Sequence, residues 1–373
     1  MHYYTDIKKA PKEIADQLQP LNRRGFLLGW VSESERQAMP DAATVVSLWN
    51  QDKAVLLPSI LDLKPLEVPI AQSRSLMETT LDIAELSTTL EAEPYKQQLG
   101  DTFPLTCSSL EEHDEQGIEK IYFDADVAGE CVAEDLWCKA SWLSFIEDDA
   151  SLRFRFSFGM ECLEDVAADP NRQLWAGKLC DALFPESAAI TENETIKSLM
   201  SDIVGGKPEF VERIVYFNAP NGGAQMHHDV ERGHDGVVFA QITGSTFWLA
   251  LAKPELMDEL TDFITNPVNG DEIKRLLPDA GDRIALAELL TDKAVLSAYM
   301  DEFDHELVEA VMDRSALFTQ HLVEKGYGYI LQAGDVLLMG QRDLDTCVWH
   351  SVICLGDEPG EALSFAVRAT KMD

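Results

Sequence analysis

"GYILQAGDVLLMGQRDLDTCVWHSV", residues 328–352, is the stretch on which the architecture turns. Apolar strand texture runs to a turn at Gly334-Asp335, resumes in "GDVLLM", passes through a polar loop and returns around His350. Before it, residues 254–326 have helical spacing, with "DKAVLSAYMDEFDHELVEAVMDRSALFTQHLVEKG" (292–326) as the strongest piece. Strand patterns precede that block in "FVERIVYFNAP" (210–220), "GVVFAQITG" (236–244) and "TFWLALA" (246–252). A separate helical domain would leave the later strands with no sheet to join. The pattern therefore favours an antiparallel β core interrupted by a helical insertion at about 254–326.

Further outward, "LRFRFSFG" (152–159) alternates apolar and polar residues as a half-buried strand does. "NRQLWAGKLCDALF" (171–184) has helical spacing. "TENETIKSLMSDIVGG" (191–206) opens with Thr191 and Glu194 in a capping-box pattern and stops on Gly205-Gly206. Residues 1–145 mix short apolar runs ("FLLGWV", "ATVVSLW", "AVLLPSI") with a helix at about 76–92 and a strand entering a turn in "IEKIYFDADVAG" (118–129). They read as a mixed α/β region that forms a lid, a docking surface or a wrapping segment, and residues 146–373 as the core.

The chain has 373 residues, with 66 acidic against 30 basic side chains and a formal net charge of −36. Such a surface repels phosphate, so neither nucleic acid nor an anionic membrane is an expected partner, whereas a cationic substrate suits it. The seven cysteines (107, 131, 138, 162, 180, 347 and 354) are odd in number and contain no C-x-x-C pair. Neither a disulfide framework nor a thiolate zinc site is indicated. The N-terminus lacks the apolar core of a signal peptide, and no run approaches the ~20 apolar residues of a membrane span. A reducing, cytoplasmic setting is expected.

"GAQMHHDVERGHDG" (223–236) holds three of the eight histidines. If it is extended, His227 and Asp229 share one face, because strand side chains alternate. A His-x-Asp pair supplies two ligands of a 2-His-1-carboxylate facial triad, which holds iron(II) with open positions. His350, inside the apolar "CVWHSVICL" (347–355), can supply the third; it can equally be a packed core histidine. His228 would face away from Asp229 in a regular strand. His234 lies among turn residues, as a loop residue or a substrate contact, and His305 and His321 belong to the helical block. Tyr216 and Trp248 read as core fillers.

In this order of motifs the chain resembles the JmjC and cupin-like group of 2-oxoglutarate-dependent oxygenases. The matching stretches are "HHD" (227–229), "AQITGSTFWLAL" (240–251), "GDVLLM" (334–339) and "WHSV" (349–352), so the resemblance spans about 150–370 less the helical block. It implies a double-stranded β-helix (jelly-roll, cupin-like) core, mainly β with α. It also implies His227, Asp229 and His350 as ligands of iron(II), with 2-oxoglutarate and O2 as co-substrates. The reaction implied is hydroxylation of a small molecule, peptide or protein; the aspartate ligand distinguishes hydroxylases from related halogenases. The chain departs from the group where a lysine often follows the "I-x-G" element: Ser245, Thr246 and Phe247 stand there. A threonine common three residues before the first ligand is Ala224. Asn218, Gln225 and Thr246 remain as candidates for contacting the co-substrate.

Arg368 and Thr370 offer another anchor, similar to the arginine-x-serine/threonine pattern of other 2-oxoglutarate oxygenases. If "GDEPG" (356–360) closes a hairpin centred near Glu358, His350 pairs with Ala366 and Arg368 falls one pleat further on the same face. There its guanidinium would fork onto a carboxylate. A half-residue shift of the turn points it the other way and leaves a surface arginine. Two other functions fit the same residues: a cupin-type metal enzyme that does not use 2-oxoglutarate, and a noncatalytic binding module.

Overall fold

The computed structural model describes residues 1–23, 25–80, 86–111, 118–144, 152–160, 169–231, 233–302 and 304–370. The expected boundary at 145/146 falls outside them. The described strands are β1 (His2–Tyr4), β2 (Gln19–Arg23), β3 (Phe26–Ser32), β4 (Val55–Leu57), β5 (Leu105–Glu111), β6 (Ile118–Val127), β7 (Glu130–Ser144) and β8 (Leu152–Met160). They continue with β9 (Pro208–Asn218), β10 (Gly223–His227), β11 (Gly236–Gln241), β12 (Ser245–Ala252), β13 (Gly328–Gln332), β14 (Val336–Gly340), β15 (Val348–Leu355) and β16 (Gly360–Ala369).

Period-two alternation sorts these strands into layers. A nine-stranded sheet runs β4-β14-β11-β16-β9-β8-β7-β6-β5, a four-stranded sheet runs β10-β15-β12-β13, and β1-β3-β2 form a third. Every pairing is antiparallel. The two larger sheets face each other across a core containing Val237, Phe239, Trp248, Leu331, Met339 and Val352. On the other face of the large sheet, Phe154, Phe156, Leu363 and Phe365 pack beneath the helices Pro170–Leu183 and Glu194–Val204. Burying a phenylalanine of this kind stabilises by roughly 1.5–3 kcal/mol.

Six helices between Lys253 and Glu324 separate β12 from β13, which nevertheless pair with one another. The helical block is thus an insertion between neighbouring strands, as expected. Leu256, Leu260 and Phe263, at helical i, i+4, i+7 spacing, are buried and join Met226, Phe247 and Trp349 of the small sheet in one cluster. Among the described residues no helix is long and apolar enough to cross a membrane, and the described cysteines are free.

Three local expectations need correction. The stretch at 76–92 contains the helices Glu67–Thr80 and Leu86–Leu90, with 81–85 outside the described residues. The cap of Glu194–Val204 is Asn193, whose side chain accepts from the N–H groups of Thr195 and Ile196; Thr191 closes a preceding turn of helix instead. Gly205 does stop that helix, with φ +70°. Most consequentially, β15 and β16 do not pair. β15 has both edges taken by β10 and β12, and β16 by β11 and β9. The 356–359 turn therefore carries the chain from one sheet to the other, and Ala366 sits opposite Val237, not His350.

Candidate metal centre

The site begins with an irregularity. Along β10 and β15, Gly223 faces Ile353 and Ala224 faces Val352, but then His227 faces His350. Gln225 and Met226 thus stand against Ser351 alone, a β-bulge. In an unbroken ladder Met226 would face His350, and His227 would face Trp349, which packs toward the helical block. The extra residue shifts the period by one and turns His227 to the side His350 occupies. Gly223 lets the strands approach: its φ is +142°, and a Cβ there would overlap the Val352 carbonyl.

The three expected ligands converge. Nε2 of His227 lies 3.5 Å from Asp229 Oδ1, Nε2 of His350 lies 3.4 Å from Asp229 Oδ2, and one donor atom from each residue falls within 4.8 Å of the others. These separations exceed the usual reach of a direct N–H···O bond, about 2.7–3.2 Å. They are close to the spacing of donors ~2.1 Å from one shared ion, roughly 3.0–3.4 Å apart for octahedral to tetrahedral angles. His227 Nδ1 donates to the Gln225 carbonyl (2.6 Å) and His350 Nδ1 faces the Val348 carbonyl (3.4 Å), leaving both Nε2 lone pairs for the shared centre. Gln341 ties the third ligand to the same strand. Its Oε1 accepts the Asp229 N–H (3.3 Å) and its Nε2 donates to the Val348 carbonyl (2.8 Å). Trp248 stacks on the His350 ring at 5.4 Å.

Electrostatics prepare the same groups. Burial pushes the Asp229 carboxyl up, but the charges and hydrogen bonds of His350 and His227 outweigh it and hold it well below the usual carboxylate range. Burial, then the adjoining His227, push His350 down against the pull of Asp229. The carboxyl is thus biased to its ionised form and the His350 ring to its neutral one. His350 is 3% exposed, whereas His227 and Asp229 keep 37% and 38%, so the centre opens on their side.

A small cavity of about 40 Å³ adjoins it, lined by Tyr216, Asn218, Phe239, Trp248, Val352 and Ser364 among others. Of the five expected co-substrate contacts, only Asn218 reaches it. Its Oδ1 is buried without a hydrogen-bond partner. Thr246 is fully buried, donating to Gln241 Oε1 (2.7 Å) and accepting from Trp248 Nε1 (2.8 Å). The Gln225 amide reaches Glu309 on the helical block (2.9 Å). Arg368 Nε donates to Glu209 (2.9 Å), and Thr370 Oγ1 donates to the Lys207 carbonyl (2.9 Å).

The other histidines lie elsewhere. His228 packs on Trp349 (5.2 Å) with Asp301 at 3.8 Å, His234 accepts the Glu231 N–H, His305 adjoins Trp349, and His321 pairs with Glu259. Sequence reasoning missed Gln341 as a tether and Ser364 as a wall residue. The latter has a signal: in "ALSFAVRA", Ala362, Ser364 and Ala366 alternate with Leu363, Phe365 and Val367.

No protein-family model and no curated protein matches the chain. Among solved structures it is similar to the Escherichia coli ribosomal oxygenase YcfD, at 11% identity and TM-score 0.34, over 91% of this chain and 54% of that one. It thus spans about half of YcfD's length. It is also similar to an oxidoreductase of the 2OG-Fe(II) oxygenase family from Burkholderia pseudomallei, at 10% identity and TM-score 0.33, over 90% of this chain and 98% of that one. A third is HygX from Streptomyces hygroscopicus, solved with nickel and 2-oxoglutarate bound, at 10% identity and TM-score 0.29, over 89% of this chain and 88% of that one.

Proposed function

We propose that the chain is an iron(II)- and 2-oxoglutarate-dependent oxygenase on a double-stranded β-helix core, hydroxylating a C–H bond of a peptide, protein or amino-acid-like substrate. The convergence of His227, Asp229 and His350 on one point beside a cavity carries this reading. Bound iron(II) with 2-oxoglutarate supplies oxidative decarboxylation coupled to C–H hydroxylation.

The chain's own groups do the rest. The two Nε2 atoms and the Asp229 carboxylate hold the ion and leave the remaining positions to ligands. Asn218 offers a hydrogen bond to the co-substrate, and the Phe239 and Trp248 walls exclude water. Glu231, two residues past Asp229, stands against Glu212, whose carboxyl is pushed up to about 8 by burial and then by Glu231. The net charge of −36 supports a cationic substrate.

One observation favours a second reading, a metal enzyme that does not use 2-oxoglutarate: among the described residues lining the cavity there is no lysine or arginine. Two arginines do occupy the same face of the large sheet. Arg155 stands opposite Tyr216 and donates to Ser141, and Arg368 lies four residues beyond Ser364 on β16. Either could supply the carboxylate's counter-charge after releasing its present partner.

Anaerobic iron(II) titration with and without 2-oxoglutarate separates the readings. A weak visible charge-transfer band at about 500 nm, lost in Asp229→Ala, is the expected result. Iron binding without the band would establish the second reading, and no iron binding would overturn both.

A further inference from the structure

The bulge that aims His227 removes backbone groups from the β10–β15 ladder, and an unpaired buried N–H is costly. The structure shows where they go. Met226, within the bulge and next to His227, donates its N–H to both carboxylate oxygens of Asp313, at 3.1 and 3.3 Å. Asp313, on the helix Glu306–Arg314, is paired at 3.4 Å with the guanidinium of Arg23, at the end of β2. Arg23 in turn donates to the Val352 carbonyl at 2.6 Å, two residues past His350. Both charged side chains are almost fully buried, at 6% and 3% exposed.

We infer that Arg23 and Asp313 form a positioning clamp for the metal centre. One buried ion pair holds both ligand strands, gripping β10 at the bulge and β15 just beyond His350. The contact on Met226 is the critical one. It satisfies the N–H that the bulge exposes, so it stabilises the shifted period over the regular ladder that would turn His227 toward Trp349. This assigns a task to two segments outside the two-sheet core. The β2–β3 hairpin contributes the arginine and the inserted helical block contributes the aspartate. Neither residue touches the ion; they act through the strands. The inference rests on the metal-centre reading above.

Burial makes the pair demanding. Removing one partner strands a buried charge, so a loss of metal affinity has to be separated from plain destabilisation. Four variants do this: Asp313→Ala, the isosteric Asp313→Asn, Arg23→Met and, as a control, Arg36→Met. Arg36 pairs with the buried Asp335 and contacts neither ligand strand. Two measurements apply to each protein: the affinity and visible d–d spectrum of added cobalt(II), and hydrogen exchange at the Met226 amide in the metal-free protein.

In Asp313→Ala and Arg23→Met, cobalt(II) is expected to bind at least about tenfold more weakly with an altered spectrum. The Met226 amide is expected to exchange at least about tenfold faster in Asp313→Ala, with a smaller change in Asp313→Asn, which keeps an acceptor oxygen. Arg36→Met is expected to lose stability while keeping the wild-type spectrum. Should Asp313→Ala fail to fold, Asp313→Asn and Arg23→Met carry the test. A wild-type spectrum and affinity in folded Asp313 and Arg23 variants would overturn the clamp and leave the metal centre standing. The absence of cobalt(II) binding in the wild-type protein would overturn the metal centre itself.

Discussion

Asn218 and Thr246 began as equivalent candidates and end as opposites. Asn218 lines the cavity, where its amide Nδ2–H can donate to a carboxylate, whereas Thr246 spends its hydroxyl on Gln241 and Trp248. Asn218→Ala is therefore expected to weaken 2-oxoglutarate binding about tenfold, the loss of one hydrogen bond, while metal affinity holds; calorimetric titration of the manganese(II)-loaded protein reads both. Thr246→Val is expected to do the reverse. It leaves two buried polar atoms unpartnered, costs about 1–3 kcal/mol in urea unfolding and leaves the co-substrate constant unchanged. The convergence of His227, Asp229 and His350 was legible in the order of the motifs around them, more than in the two-residue spacing alone. The co-substrate contacts were not, since a polar residue's partner is set by packing across strands that sequence spacing does not reveal.

Between strands, the decisive facts are a bulge and a crossing. Reading "MHHDV" as a regular strand placed His227 and Asp229 on one face, but β10 ends at His227 and only its extra residue brings that side chain round to His350. The "GDEPG" turn looks like a hairpin by composition, and its residues do turn the chain. Whether two strands then pair depends on whether their edges are free, which is settled by strands more than 100 residues earlier, in β9–β12. Gly223→Ala tests the fit between β10 and β15. A methyl group there meets the Val352 carbonyl at a positive φ, so thermal unfolding is expected to show a loss of at least about 2 kcal/mol, with weaker cobalt(II) binding alongside.

The molecule as a whole was legible in its order of strands and helices, down to the inserted block. Its layering was less so. The large sheet takes β4–β7 from the 1–145 region, read as a lid, docking or wrapping segment, and joins them edge to edge with the strands around the site. Packed against its helix-covered face is a pair of acids with no role at the metal. Glu186 and Glu361 are 0% and 2% exposed, and Ser73 donates to Glu361 at 3.0 Å. Burial raises both carboxyls, and Glu186 raises Glu361 further. A raised carboxyl contributes stability that is complete below its unfolded value near 4.5 and is lost as pH rises through the folded value. The urea midpoint is expected to fall as pH rises above about 4.5, and Glu186→Gln to flatten that fall. An unchanged slope in the variant would show that the pair does not govern it.

The position of β16 has its own consequence. It stands furthest along the sequence among the described strands, yet it occupies the interior of the large sheet, with β11 on one side and β9 on the other. Everything on the β4 side of that sheet is joined to everything on the β5 side through this single ribbon of backbone. A growing chain can assemble the two halves separately but cannot close them until residues 360–369 arrive, so the wall opposite the ligands is a seam sealed only after the other described strands have been made.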